Sequence, residues 1–145
     1  MIEEFPMKHT LWLIVGLVLA SGCGSAPSGT SPSPLVNTAT LSISNFTVTA
    51  SAGASPGTFD DRMTFHLVES GTVGLTFTHL TFTLLPLGAV TTFQPGAFIA
   101  AGGTLDPVYT LTGAPSSPQM RVDIAFIDDH GLTGAATATA NITSQ

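Results

Sequence analysis

From residue 41 onward, apolar side chains recur at every second position in six runs: Leu41–Ala50, Arg62–Glu69, Leu75–Leu85, Thr104–Leu111, Met120–Asp128 and Leu132–Ile142. A weaker seventh run lies between Val90 and Ala100. A period of two places alternate side chains on opposite faces, which is the signature of strands buried on one side. Residues 23 to 145 contain 21 Thr, one Glu and no Lys, so β-branched residues abound and the usual surface helix formers are nearly missing. No amphipathic helix is expected. Six or seven strands separated by turn residues in about 105 residues predict an all-β domain with the layers of a sandwich.

The phase of the alternation is informative as well. In the first run the apolar positions are Leu41 and Ile43, then Phe46, Val48 and Ala50; in the third they are Leu75 and Phe77, then Leu80, Phe82 and Leu84. A slip of one residue would turn a buried face to solvent, so each change of phase requires a bulge or a strand that changes sheets. These are expected near Ser44-Asn45 and near His79. In Met120–Asp128 the inward set should be Val122, Ile124 and Phe126, with Arg121 and Asp123 outward.

Charge restricts the partners. The chain carries three Lys and Arg against nine Asp and Glu, a net charge of −6, and cannot form the basic stripe that a phosphate backbone requires. A nucleic-acid partner is therefore not expected. The single Cys, Cys23, cannot make an internal disulfide and has no neighbours at zinc-finger spacing.

The N-terminal region reads as an address. Leu11–Ala20 is an unbroken run of ten apolar residues, about half of the roughly 20 needed to cross a bilayer. It follows Lys8 and precedes Ser21-Gly22-Cys23, the order of a secretory signal. Glu3 and Glu4 do not suit the start of such a signal, and translation from Met7 would remove them. Leu19-Ala20-Ser21-Gly22-Cys23 resembles the lipobox of bacterial lipoproteins. That resemblance implies a signal peptide over residues 1–22, lipidation of Cys23 and attachment to the cell envelope, the outer membrane being favoured because Gly24 stands where an inner-membrane retention signal would carry Asp. Gly24–Pro34 has four Ser, three Pro and two Gly with no charge, a composition that cannot bury enough surface to order itself. Residues 23–40 are thus read as lipidated Cys plus tether, and residues 41–145 as the folded body. As flexible coil, the 17 residues from Gly24 to Thr40 would span about 20 to 25 Å.

The last two runs, RVDIAFIDDHGLTGAATATANI, resemble the terminal hairpin of bacterial immunoglobulin-like or fibronectin-type-III-like modules. The resemblance implies a single immunoglobulin-like antiparallel β-sandwich of about seven strands, without the buried Cys pair and core Trp of antibody domains.

Several patterns could carry chemistry. Gly53-Ala54-Ser55-Pro56-Gly57 fits the nucleophile-elbow pattern, but no helical pattern follows it, so a loop between strands is expected. Asp128 and Asp129 are weak candidates for Ca²⁺, with Asp60-Asp61 at another loop, but Asp128-Asp129-His130-Gly131 reads first as a hairpin turn. Met63, Met120, His66 and His79 could suggest soft-metal ligation, yet both Met fall on the inward phase and His66 on the outward one. Asn45-Phe46-Thr47 and Asn141-Ile142-Thr143 are glycosylation sequons by letter, discounted for a bacterial chain. No catalytic constellation, metal or cofactor is expected. The reading is a non-enzymatic, lipid-anchored envelope protein displaying a structural or protein-binding module. The alternative is a carbohydrate- or ligand-binding accessory module, with Phe59, Phe93 and Phe98 as stacking candidates.

Overall fold

Nine strands follow one another in the computed structural model, which describes residues 38–145; the signal-peptide segment, Cys23 and the tether as far as residue 37 lie outside the described residues. The strands are β1 (Leu41–Ala52), β2 (Thr58–Glu69), β3 (Leu75–Leu85), β4 (Ala89–Phe93), β5 (Phe98–Ile99), β6 (Thr104–Leu105), β7 (Val108–Pro115), β8 (Gln119–Asp128) and β9 (Thr133–Ser144). No helix occurs among the described residues. The protein is all-β.

The expected strand count of about seven becomes nine because two runs are interrupted. Pro107, which cannot donate to a ladder, separates β6 from β7 within Thr104–Leu111. Pro95-Gly96 divides the weak run between Val90 and Ala100 into β4 and β5.

The strands form one curled, open sheet in the order β4-β3-β8-β9-β1-β2-β6, with β5 beside β3 and β7 beside β2. This is a half-barrel. All pairings are antiparallel except β1 with β9, where Val48, Thr49 and Ala50 run parallel to Ile142, Thr143 and Ser144. The wholly antiparallel, two-sheet arrangement is thereby corrected: β9 pairs with β8 over Thr133–Asn141 and then continues onto β1, joining the two flanks.

Both phase changes are bulges. One extra residue in β1 shifts its register against β2 between Ser44 and Thr47, and Asn45 adopts φ +51° there. Asn is among the few residues that tolerate this left-handed conformation. A second extra residue in β3 lies between Phe77 and His79, opposite Phe126 and Ala125. Across these corrections the apolar positions stay inward.

The core is built from those positions: Val48, Met63, Phe65, Leu67, Leu75, Phe77, Leu80, Phe82, Leu84, Met120, Val122, Ile124 and Phe126 are all buried. Phe65 of β2 and Phe82 of β3 face each other at 6.3 Å, Tyr109 of β7 stacks on Phe65 at 6.0 Å, and Phe93 of β4 reaches Tyr109 at 5.5 Å. Aromatic rings therefore fill the space between the two edge regions. On β9 the inward residues from Gly134 to Ala140 are small, and the reason is visible at Gly134: a Cβ there would collide with the ring of Phe126. The ring of Phe126 occupies the room that glycine leaves.

Candidate functional site

The inward row of β2 reads Asp61, Met63, Phe65, Leu67, Glu69, so a carboxylate stands at each end of an apolar row. The two acids have opposite surroundings. Glu69 is fully buried and accepts three backbone hydrogen bonds: Thr40 N and Gly71 N donate to Oε1 at 3.0 and 2.6 Å, and Gly102 N donates to Oε2 at 2.7 Å. Burial pushes its carboxyl up, but these three N–H groups outweigh it and hold Glu69 below the ordinary value. Ser70 N also donates to Thr40 O at 2.9 Å. Glu69 thus ties the incoming segment to the β2–β3 and β5–β6 loops.

At the other end, Asp61 is only 2% exposed, and its Oδ2 is buried without a hydrogen-bond partner. Burial pushes this carboxyl up, and neighbouring Asp60 adds to the effect. Asp61 lines a cavity of about 80 Å³ with Ala50, Phe59, Ser116, Ser117 and Ser144. The adjacent Asp60 side chain is occupied differently, its Oδ1 accepting from Gly113 N at 3.0 Å.

Asp128 and Asp129 form a turn. Asp128 Oδ1 accepts from His130 N at 2.9 Å and Leu132 N at 2.8 Å, Gly131 N donates to Asp128 O, and Gly131 takes φ +82°. Burial raises the Asp128 pKa, but the N–H groups of Leu132, His130 and Ala39 and the nearby His130 ring bring it below the ordinary value. Asp129 Oδ2 accepts from Gly74 N at 3.1 Å. Asp60-Asp61 begins β2 and Asp128 ends β8, at opposite ends of the sheet, so the two acidic pairs do not meet. Among the described residues no three His, Cys, Asp or Glu side chains gather as metal ligands.

The remaining candidates separate by face. Met63 and Met120 are completely buried, while His79 is exposed on β3. His66 faces outward as expected, and it finds a partner that spacing alone does not reveal: its Nδ1 lies 2.6 Å from Oδ1 of Asp106, 40 residues away. His66 and Asp106 border a shallow groove of about 410 Å³ with Asn45, Thr64 and Val108. A second groove of about 390 Å³ lies between the edge strands β4 and β7, lined by Thr91, Phe93, Leu111 and Ala114 among others. Of the stacking candidates, Phe93 packs against Phe82 and Tyr109, Phe59 is half-buried beside the Asp61 cavity, and Phe98 is 54% exposed. The Gly53–Gly57 segment is the β1–β2 loop, closed by Gly53 N to Thr58 O at 2.9 Å and Thr58 N to Ser55 O at 3.1 Å. It joins two strands, so the strand-to-helix geometry of a nucleophile elbow does not form there.

No protein-family model and no curated protein sequence matches the chain. Solved structures do resemble its fold. The X-ray structure of a target of the Northeast Structural Genomics Consortium superposes with a TM-score of 0.54 at 11% identity, over 74% of this chain and 88% of that one. The crystal structure of a Bordetella pertussis protein, named as a candidate ApaA protein, gives 0.53 at 16% identity, over 74% of this chain and 94% of the other. At such identities the similarity is one of β-architecture.

Proposed function

We propose that this chain is a lipid-anchored protein of a bacterial cell envelope, attached through Cys23, whose β body displays a surface for a protein partner rather than performing catalysis. We further read the body as an immunoglobulin-like module in which the curl joins what would otherwise be two packed sheets. The observation that carries the display reading is the engagement of Thr40 by Glu69. Residues 38–40 lead back toward Cys23, and they join the body at the end that holds Glu69 and Asp128. The opposite end carries the β1–β2, β3–β4 and β7–β8 loops, with Leu87 56% exposed. A body tied down at one end leaves the loops of the other end for presentation. The basis for the anchor is the apolar run Leu11–Ala20 followed closely by the only Cys.

Metabolic labelling with a clickable fatty acid tests the anchor. Label should appear on the wild-type chain and disappear in Cys23→Ser, together with membrane fractionation. A Ser variant that still sediments with membranes would refute the anchor. Photo-crosslinkers at Leu87 and, as a control, at His130 test the display surface in intact envelopes, with adducts expected at Leu87; adducts confined to His130 would refute the orientation.

A further inference from the structure

We propose that the cavity beside Asp61 is a binding site for a small monovalent cation, with sodium the ion of matching size. The argument begins with Oδ2 of Asp61, a carboxylate oxygen buried without any hydrogen-bond partner. Polar groups placed in this position in a folded protein are almost always satisfied. A proton would remove the charge without bringing a donor to the lone pairs of Oδ2. A cation supplies what both the charge and the lone pairs lack.

The surroundings agree with this assignment. Besides Asp61, the polar side chains of the lining are those of Ser116, Ser117 and Ser144, and no nitrogen- or sulfur-bearing side chain is among them. All-oxygen surroundings favour a hard cation. Ser117 Oγ commits its proton to Leu85 O at 2.5 Å, so toward any other group it can act only as an acceptor. The volume of about 80 Å³ exceeds the roughly 10 to 15 Å³ that one water requires, so there is room for a small ion with coordinating water. Charge fixes the valence. Only one carboxylate lines the cavity, so a monovalent ion neutralises it, whereas a divalent one would bury a net positive charge.

Position gives the site a purpose. Ala50 of β1 and Ile142 and Ser144 of β9 line the same cavity, and these are the residues of the parallel pairing that joins the two flanks. An ion here would strengthen that junction and make the fold sensitive to salt composition rather than to ionic strength alone.

The test is thermal unfolding of the full-length protein in detergent at pH 7.5, with sodium replaced stepwise by N-methylglucamine or potassium at constant ionic strength. The midpoint should rise by roughly 5 °C or more per tenfold increase in sodium above the dissociation constant, as expected for a ligand bound only by the folded state. Potassium should act more weakly and N-methylglucamine not at all. Asp61→Asn should abolish the dependence. Broadening of the sodium-23 resonance by the wild-type protein, competed away by excess lithium, provides a readout that needs no variant. Equal midpoints in sodium and N-methylglucamine, or a sodium response that survives in a folded Asp61→Asn variant, would overturn the proposal.

Discussion

Replacing Glu69 by Gln alters one atom group at the centre of the clamp and leaves its shape intact. The amide oxygen can still accept from Thr40 and Gly71, but the new NH₂ then faces the N–H of Gly102, two donors with no acceptor between them. A hydrogen bond to a charged group contributes about 1.5 to 3 kcal/mol, so Glu69→Gln should cost roughly 2 to 3 kcal/mol. Glu69→Ala strands three buried N–H groups at about 1 to 3 kcal/mol each, roughly 3 to 9 kcal/mol in all. That approaches the roughly 5 to 15 kcal/mol available to a whole domain, and the Ala variant should be largely unfolded. The pH dependence follows from the direction of the shift. Because the folded-state pKa is depressed below 4.5, the stabilisation is complete above that value and is lost as pH falls through the lower, folded one. Glu69→Gln should therefore flatten the acid limb of the stability profile as well as lower it. Urea unfolding followed by circular dichroism measures both effects, and amide exchange at Gly102 reports the clamp directly. A Gln variant within about 0.5 kcal/mol of wild type, with Gly102 equally protected, would refute this account of Glu69.

Other residues give equally direct expectations. Phe126→Ala empties the space against Gly134 and should cost about 3 to 5 kcal/mol by chemical denaturation. Asn45→Gly should be nearly neutral, whereas Asn45→Val, forced to φ +51°, should lose about 1 to 3 kcal/mol in the same assay. The His66–Asp106 pair is partly solvent-exposed, so Asp106→Ala should change the unfolding free energy by no more than about 1 kcal/mol. Asp128 Oδ1 already accepts two backbone N–H groups, so millimolar Ca²⁺ should leave the melting temperature unchanged; a rise of several degrees that vanishes in Asp129→Ala would contradict the turn assignment.

The contrast between what alternation revealed and what it concealed has a physical basis. The bulges at Asn45 and after Phe77 were legible because a bulge must change the parity of the apolar positions, and parity is written in the chain. The burial of Met63, Met120 and Phe126 follows from the same parity. Asp61 and Glu69 share it too, and two acids on an inward phase were the available signal for a buried carboxylate. What polarity could not disclose is which acid receives donors, since the N–H groups on Glu69 come from residues 40, 71 and 102. The meeting of His66 with Asp106 was similarly hidden, because it depends on β6 and β7 folding back beside β2. Curl was the least legible feature. It is decided by three parallel residues in β9 that read locally as the end of a hairpin strand.

Those three residues are the only pairing that joins two otherwise separate sets of strands among the described residues. Without Ile142–Ser144 against Val48–Ala50, the strands fall into two sets with no pairing between them: β1, β2, β6 and β7 on one side, and β3, β4, β5, β8 and β9 on the other. Synthesis delivers β1 first and the residues that cover its second edge nearly a hundred positions later, Thr143 Oγ1 reaching Val48 O across a separation of 95. Contacts this distant in sequence carry the largest loop-closure entropy of the pairings in the fold. During that interval β1 exposes unpaired backbone groups, the kind of edge on which neighbouring chains can nucleate aggregates. Any state in which the two halves have paired internally but Ile142–Ser144 has not docked leaves the second edge of β1 open.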